Sequence, residues 1–115
     1  MKILVDTNIL LALVEARVDI VALAQDVFPE AGFCVMRQTI EEIKAKRPTA
    51  LMLIEGYLAK NKFSTIPGQG KADDLILQWA SREGAAVATL DFALKKRLKK
   101  AGVQVISVKN NKLIL

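Results

Sequence analysis

Histidine is absent from this chain, and that absence alone removes two classes of chemistry. Without an imidazole no serine or cysteine can be activated through a histidine base, and a zinc site of the usual Cys/His kind cannot be assembled. Cysteine is nearly as scarce. Cys34 stands alone within Phe33-Cys34-Val35-Met36 and reads as a buried core thiol, not a nucleophile. Long apolar runs are missing too: stretches such as Ile9 to Val14 fall far short of the roughly 20 residues that span a bilayer. No basic-then-apolar leader opens the chain, because Asp6 interrupts the candidate segment. A cytoplasmic location and no membrane partner are the expectation. Prolines and glycines are few, and no repeat, low-complexity tract or linker appears.

What is present suits one packed domain over residues 1–115. Hydrophobic residues make up 52% of the 115, enough for a core that needs neither disulfide nor structural metal. The formal net charge is +5, and Lys95, Lys96, Arg97, Lys99 and Lys100 crowd one short segment. Such a run is commonly a solvated face, but it also makes anionic partners more plausible, nucleic acid first among them.

Strand and helix signals alternate along the chain, as in α/β folds with a mainly parallel sheet. Lys2 to Val5 reads as a strand, Thr7 to Ala16 and Val18 to Val27 as helices, and Phe33 to Met36 as a second strand. Helices are expected from Thr39 to before Pro48, and from Thr49 to Lys60. A loop bearing Pro67, Gly68 and Gly70 then leads into a helix over Ala72 to Glu83. In that helix Ala72, Ile76, Trp79 and Ala80 share a face, which places Trp79 in the core. Gly84 supplies a helix stop, Ala86 to Thr89 a strand, Phe92 to Lys100 a helix, and Val103 to Val108 a strand. Lys112 to Leu115 reads as a last short strand after an Asn110-Asn111 turn.

The acids fall at telling places in this pattern. Asp6 follows the first strand, Asp91 follows the strand ending at Thr89, Asp73 and Asp74 open a helix, and Glu42 lies early in the helix after the second strand. In a parallel sheet the strand ends and the starts of the following helices share one edge, where such folds bind ligands. Acids in a first helical turn are ordinarily explained by the macrodipole, at roughly 0.3–1 kcal/mol apiece. That explains one or two of them, but not a set whose mutual repulsion would offset the gain. A hard divalent cation would remove the conflict. With no nitrogen or sulfur ligand set on offer, Mg²⁺ or Mn²⁺ is favoured. Carboxylate-held metal can activate water and neutralise charge on a phosphoryl group, and the basic segment could hold a nucleic-acid backbone.

Four stretches resemble the PIN-domain superfamily, in the right order across essentially the whole chain. They are Val5-Asp6-Thr7-Asn8, Thr39-Ile40-Glu41-Glu42-Ile43, Ala72-Asp73-Asp74-Leu75-Ile76 and Val87-Ala88-Thr89-Leu90-Asp91. The resemblance implies a three-layer α/β sandwich, a central mainly parallel sheet flanked by helices, and a metal-dependent endoribonuclease. It implies Mg²⁺ or Mn²⁺ bound by Asp6, Glu42, Asp73 and Asp91, with Thr7, Asn8, Asp74 and Thr89 in support. Lys71 and the cluster of Lys95, Lys96, Arg97, Lys99 and Lys100 would meet RNA phosphates. The partners implied are RNA, a second copy in a homodimer, and either an antitoxin or a pre-ribosomal particle.

Three alternatives stand beside an RNA-processing nuclease. One is a VapC-type toxin ribonuclease, and another is a PIN domain that binds RNA or protein without cutting. The third is a response-receiver-like domain, which needs adjacent acids after its first strand; here Asp6 stands there alone.

Overall fold

The computed structural model describes residues 1–115. The elements run β1 (Lys2–Val5), α1 (Thr7–Ala16), α2 (Ile20–Val27), β2 (Gly32–Met36), α3 (Arg37–Lys46) and α4 (Pro48–Lys60). Then come β3 (Ser64–Ile66), α5 (Ala72–Glu83), β4 (Ala86–Ala88), α6 (Phe92–Lys100), β5 (Val105–Lys109) and β6 (Lys112–Ile114). The strands form one sheet in the order β3-β2-β1-β4-β5-β6. All pairings are parallel except the last, where β5 and β6 make an antiparallel hairpin.

Period-two alternation in the central strands builds two separate cores. Ile3 and Val5 of β1, Phe33 and Val35 of β2, and Ala86 and Ala88 of β4 face one side, against residues of α1 to α4. Leu4, Cys34, Met36 and Val87 face the other, where Ile76 and Trp79 of α5 and Leu94 and Leu98 of α6 cover them. Because both faces are buried, these strands read as continuous apolar runs. Cys34 is buried and free, with its thiol donating to the Ile3 carbonyl at 3.6 Å.

The structure departs from the sequence expectations in a few places. β3 falls where no strand is expected from the sequence. It has only three residues, lies at the sheet edge, and is held by parallel pairing with β2, so no local alternation announces it. Pro67 follows directly and blunts that edge. α2 starts at Ile20, not Val18, because the Asp19 carboxylate accepts the Ala22 N–H at 3.1 Å and caps it there. α4 starts at Pro48, where a missing N–H costs nothing. β5 starts at Val105, since the Val103 N–H is still closing α6 through the Leu98 carbonyl.

The sheet order fixes where a ligand can sit. From β1 the chain steps outward to β2 and β3, then returns to β4 on β1's other side. The switch point therefore lies between β1 and β4, and the crevice beyond their carboxyl ends is where open α/β sheets bind. This order also differs from the 2-1-3-4-5 arrangement of receiver-type domains, which sets that alternative aside. No helix is long and apolar enough to cross a membrane.

Candidate active site

Asp6 leaves β1 at the switch point and caps α1. Its backbone N–H bonds across to the Ala88 carbonyl of β4 at 2.9 Å. Its Oδ1 accepts the Thr7 N–H at 2.8 Å, and its Oδ2 accepts the Thr89 hydroxyl at 2.7 Å. Thr89 is fully buried, and its Oγ1 also accepts the Asp91 N–H at 3.1 Å. One hydroxyl thus links the loop after β4 to the carboxylate after β1. Asp91 caps α6 through its Oδ1, which accepts the Leu94 N–H at 2.9 Å.

These bonds occupy one lone-pair direction on each Asp6 oxygen and leave others free. Asp6 is buried, and its carboxyl pKa is raised above the ordinary value. Desolvation is the largest cause, and the negative charges of Asp73 and Asp91 add to it. The hydrogen bonds from Thr89 and Thr7 pull the other way. Asparagine caps a helix as well as aspartate does. Capping alone therefore gives no reason to bury a charge beside two further acids.

Asp6, Glu42, Asp73 and Asp91 line one open cleft of about 290 Å³, together with Thr7 and Asn8. Glu42 comes from α3 and Asp73 from the first turn of α5. The Thr7 hydroxyl donates to Thr39 at 3.3 Å, which ties α1 to α3. Asn8 Oδ1 accepts the Leu90 N–H at 3.0 Å and ties α1 to the loop after β4. No three of the carboxylates are drawn into a ligating cluster. The four carboxylates share the cleft without converging on one point. The donor set is all hard oxygen, and it suits Mg²⁺ or Mn²⁺.

Other residues singled out in the sequence separate in space. Asp74, next to Asp73 on α5, does not line the cleft; its Oδ1 accepts from Arg97 at 2.8 Å. Successive helical residues point about 100° apart, and here that step carries Asp74 away from the cleft and toward Arg97. Arg97 is thereby paired, Lys96 lies 5.0 Å over the Phe92 ring, and Lys95 and Lys99 point into a different hollow. Lys71 and Lys100 are exposed.

Sequence reasoning did not find Gln38. Its side-chain amide donates to the Gly68 carbonyl and so fastens the loop before α5 to α3. That bond joins the loop leading to Asp73 to the helix that carries Glu42, and nothing local in the sequence signals it.

A mainly parallel sheet with this order, and acids lining the crevice at its switch point, define an α/β domain with a carboxylate-lined cleft. The family model described as a PIN like domain matches residues 3–111, and the chain belongs to that family. No curated protein matches it in sequence. Among solved structures it is similar to the PIN domain endonuclease Utp24, with a TM-score of 0.82 and 23% identity over 97% of this chain and 88% of that one. It is also similar to VapBC2 from Rickettsia felis bound to a DNA fragment from its promoter. There the TM-score is 0.69 and the identity 13%, over 93% of this chain and 98% of the other. A domain of a functionally unknown Methanocaldococcus jannaschii protein gives 0.62 and 13%, over 94% and 91%. At these identities the likeness establishes the fold, that of PIN-domain nucleases.

Proposed function

We propose that the chain is a divalent-metal-dependent endoribonuclease that hydrolyses RNA phosphodiester bonds in RNA processing. The observation that carries this reading is the meeting of Asp6, Glu42, Asp73 and Asp91 in one cleft at the switch point. The likeness to Utp24, described as an endonuclease, supports cleavage as the activity.

Asp6, Asp73 and Asp91 would hold Mg²⁺ or Mn²⁺, with Glu42 completing the set or positioning water. The bound cation would lower the pKa of the attacking water and neutralise charge on the phosphoryl group. The chain's own work is orientation. Thr89 and the Thr7 N–H hold both Asp6 oxygens in place, so that their free lone pairs point in fixed directions. Asp91 is held by its cap to Leu94, and Asn8 steadies the loop that carries it. No histidine is present to take a proton, and a cleft carboxylate would serve as the base.

Cleavage of labelled structured and unstructured RNA in Mn²⁺, Mg²⁺ or EDTA, beside Asp73→Asn, tests this. Metal-dependent cutting that disappears in the variant is expected. Undiminished cutting by folded Asp73→Asn would sink the assignment. Calorimetric Mn²⁺ binding checks the site apart from any choice of substrate.

A further inference from the structure

A second hollow, of about 240 Å³, lies between α6 and the β5–β6 hairpin. Lys95 and Lys99 of α6 line it from one side, one helical turn apart on the same face. Lys109, at the end of β5, lines it from the other. None of the three belongs to an ion pair, and no acidic side chain lines the hollow. Its walls also carry Leu90, Ile114 and Leu115, three of the molecule's exposed large hydrophobic residues.

The hairpin holds this arrangement at a cost. Lys109 pairs directly with Lys112 across the strands, and like charges so placed repel. The turn between them is Asn110-Asn111, with φ of 53° and 56°, the backbone of a tight two-residue hairpin. The lysines therefore cannot separate by slippage without breaking the turn. A ligand that belongs here carries negative charge for the lysines and a flat or apolar face for the exposed walls. An unpaired nucleic-acid strand offers both, whereas a duplex hides its bases and a small anion has no use for the walls.

The hollow and the carboxylate cleft are lined by adjacent residues of the chain. Leu90 lines the hollow, and the next residue, Asp91, lines the cleft. We propose that this hollow is a subsite for single-stranded RNA, with Lys95, Lys99 and Lys109 on the phosphates, and that it receives the strand as it leaves the carboxylate cleft. The direction of the strand rests on the nuclease reading; the binding of RNA in the hollow does not.

The test is fluorescence anisotropy of the full chain in EDTA with a labelled oligouridylate of about 12 nucleotides, a length single-strand grooves accommodate. Lys109→Glu is compared with Lys46→Glu, the same charge change at the end of α3 on the sheet's other face. Both positions are exposed, and circular dichroism confirms that the variants fold.

Lys109→Glu should weaken binding by about tenfold and lower the salt slope by about 0.7 for each phosphate it no longer neutralises. Lys46→Glu should change affinity by about twofold at most, as expected of a charge that meets no phosphate. Equal effects of the two variants, or a duplex bound as tightly as the single strand, would overturn the subsite. Displacement of the RNA by an oligoglutamate peptide at lower concentration would overturn it in favour of an acidic protein partner. RNA binding that depends on Lys109, without any cleavage in Mn²⁺, would keep the subsite and refute the nuclease. Metal-dependent cleavage with unchanged affinity in Lys109→Glu would do the reverse.

Discussion

The carboxylate cleft and the lysine-lined hollow are neighbours of opposite charge, built on opposite principles. In the cleft, the two carboxylates beside the switch point are locked: Asp6 is buried with hydrogen bonds on both oxygens, and Asp91 is held as a cap. In the hollow, charge sits at the ends of long, unpaired side chains on an exposed rim. Locked carboxylates suit chemistry, where a small displacement of a ligand atom is costly. Mobile lysines suit a phosphate chain, which needs charge nearby but no fixed geometry. The contrast predicts that substitutions in the cleft act on turnover and metal binding, whereas those in the hollow act on affinity.

The largest effect should come from Asp6→Asn. Asparagine keeps the cap, so the thermal midpoint should stay level or rise as a buried charge is removed. RNA cleavage and Mn²⁺ binding should be lost. Parallel loss of fold and activity would make Asp6 a structural cap after all. Next is Thr89→Val, which removes the hydroxyl between Asp6 and Asp91 without changing the side chain's shape. Metal affinity or turnover should fall roughly 10–100-fold, with substrate affinity unchanged, and Thr89→Ser should restore most of the loss.

A smaller effect separates the core from both sites. Burial pushes the Cys34 thiol up to about 12 from its ordinary 9.0, with Lys2 opposing slightly. The folded chain keeps a proton that the unfolded chain releases. Its contribution to stability is therefore complete below pH 9 and lost as pH rises toward 12. Denaturant midpoints measured across that window should fall more steeply for the parent than for Cys34→Ala. The smallest effect belongs to Asp74→Ala. Its pair with Arg97 is half exposed on both sides, so the change should cost less than about 1 kcal/mol. Cleavage should be retained, unlike in Asp73→Asn. Equal losses from the two neighbours would break the separation that the structure draws between them.

Much of this was legible in the chain itself. β1, β2 and β4 announce themselves as short apolar runs, and Gly84 and the Asn110-Asn111 turn mark stops through backbone conformations that their side chains tolerate. The acids at strand ends pointed to one rim, because the parallel α/β rule converts sequence position into an edge of the sheet. β3 was not legible. Three residues at an edge have no period to show, and only the pairing with β2 makes them a strand. The resemblance favoured Asp73 over Asp74, but the sequence could not assign a destination to Asp74 or to each member of the basic run.

By itself, then, the sequence determined the alternation of elements, the absence of histidine chemistry, and the presence of an acid after each strand beside the switch point. These are local matters of period, capping and residue type. The tertiary structure alone decided that β4 returns beside β1 and that Gln38 fastens the loop before α5. It also decided that Asp74 turns to Arg97, and that Lys109 faces Lys95 and Lys99 across a hollow. Each of these depends on which distant segments pack together. Long-range pairing is settled by burial of both sheet faces at once, a property of the whole chain and of no single stretch of it.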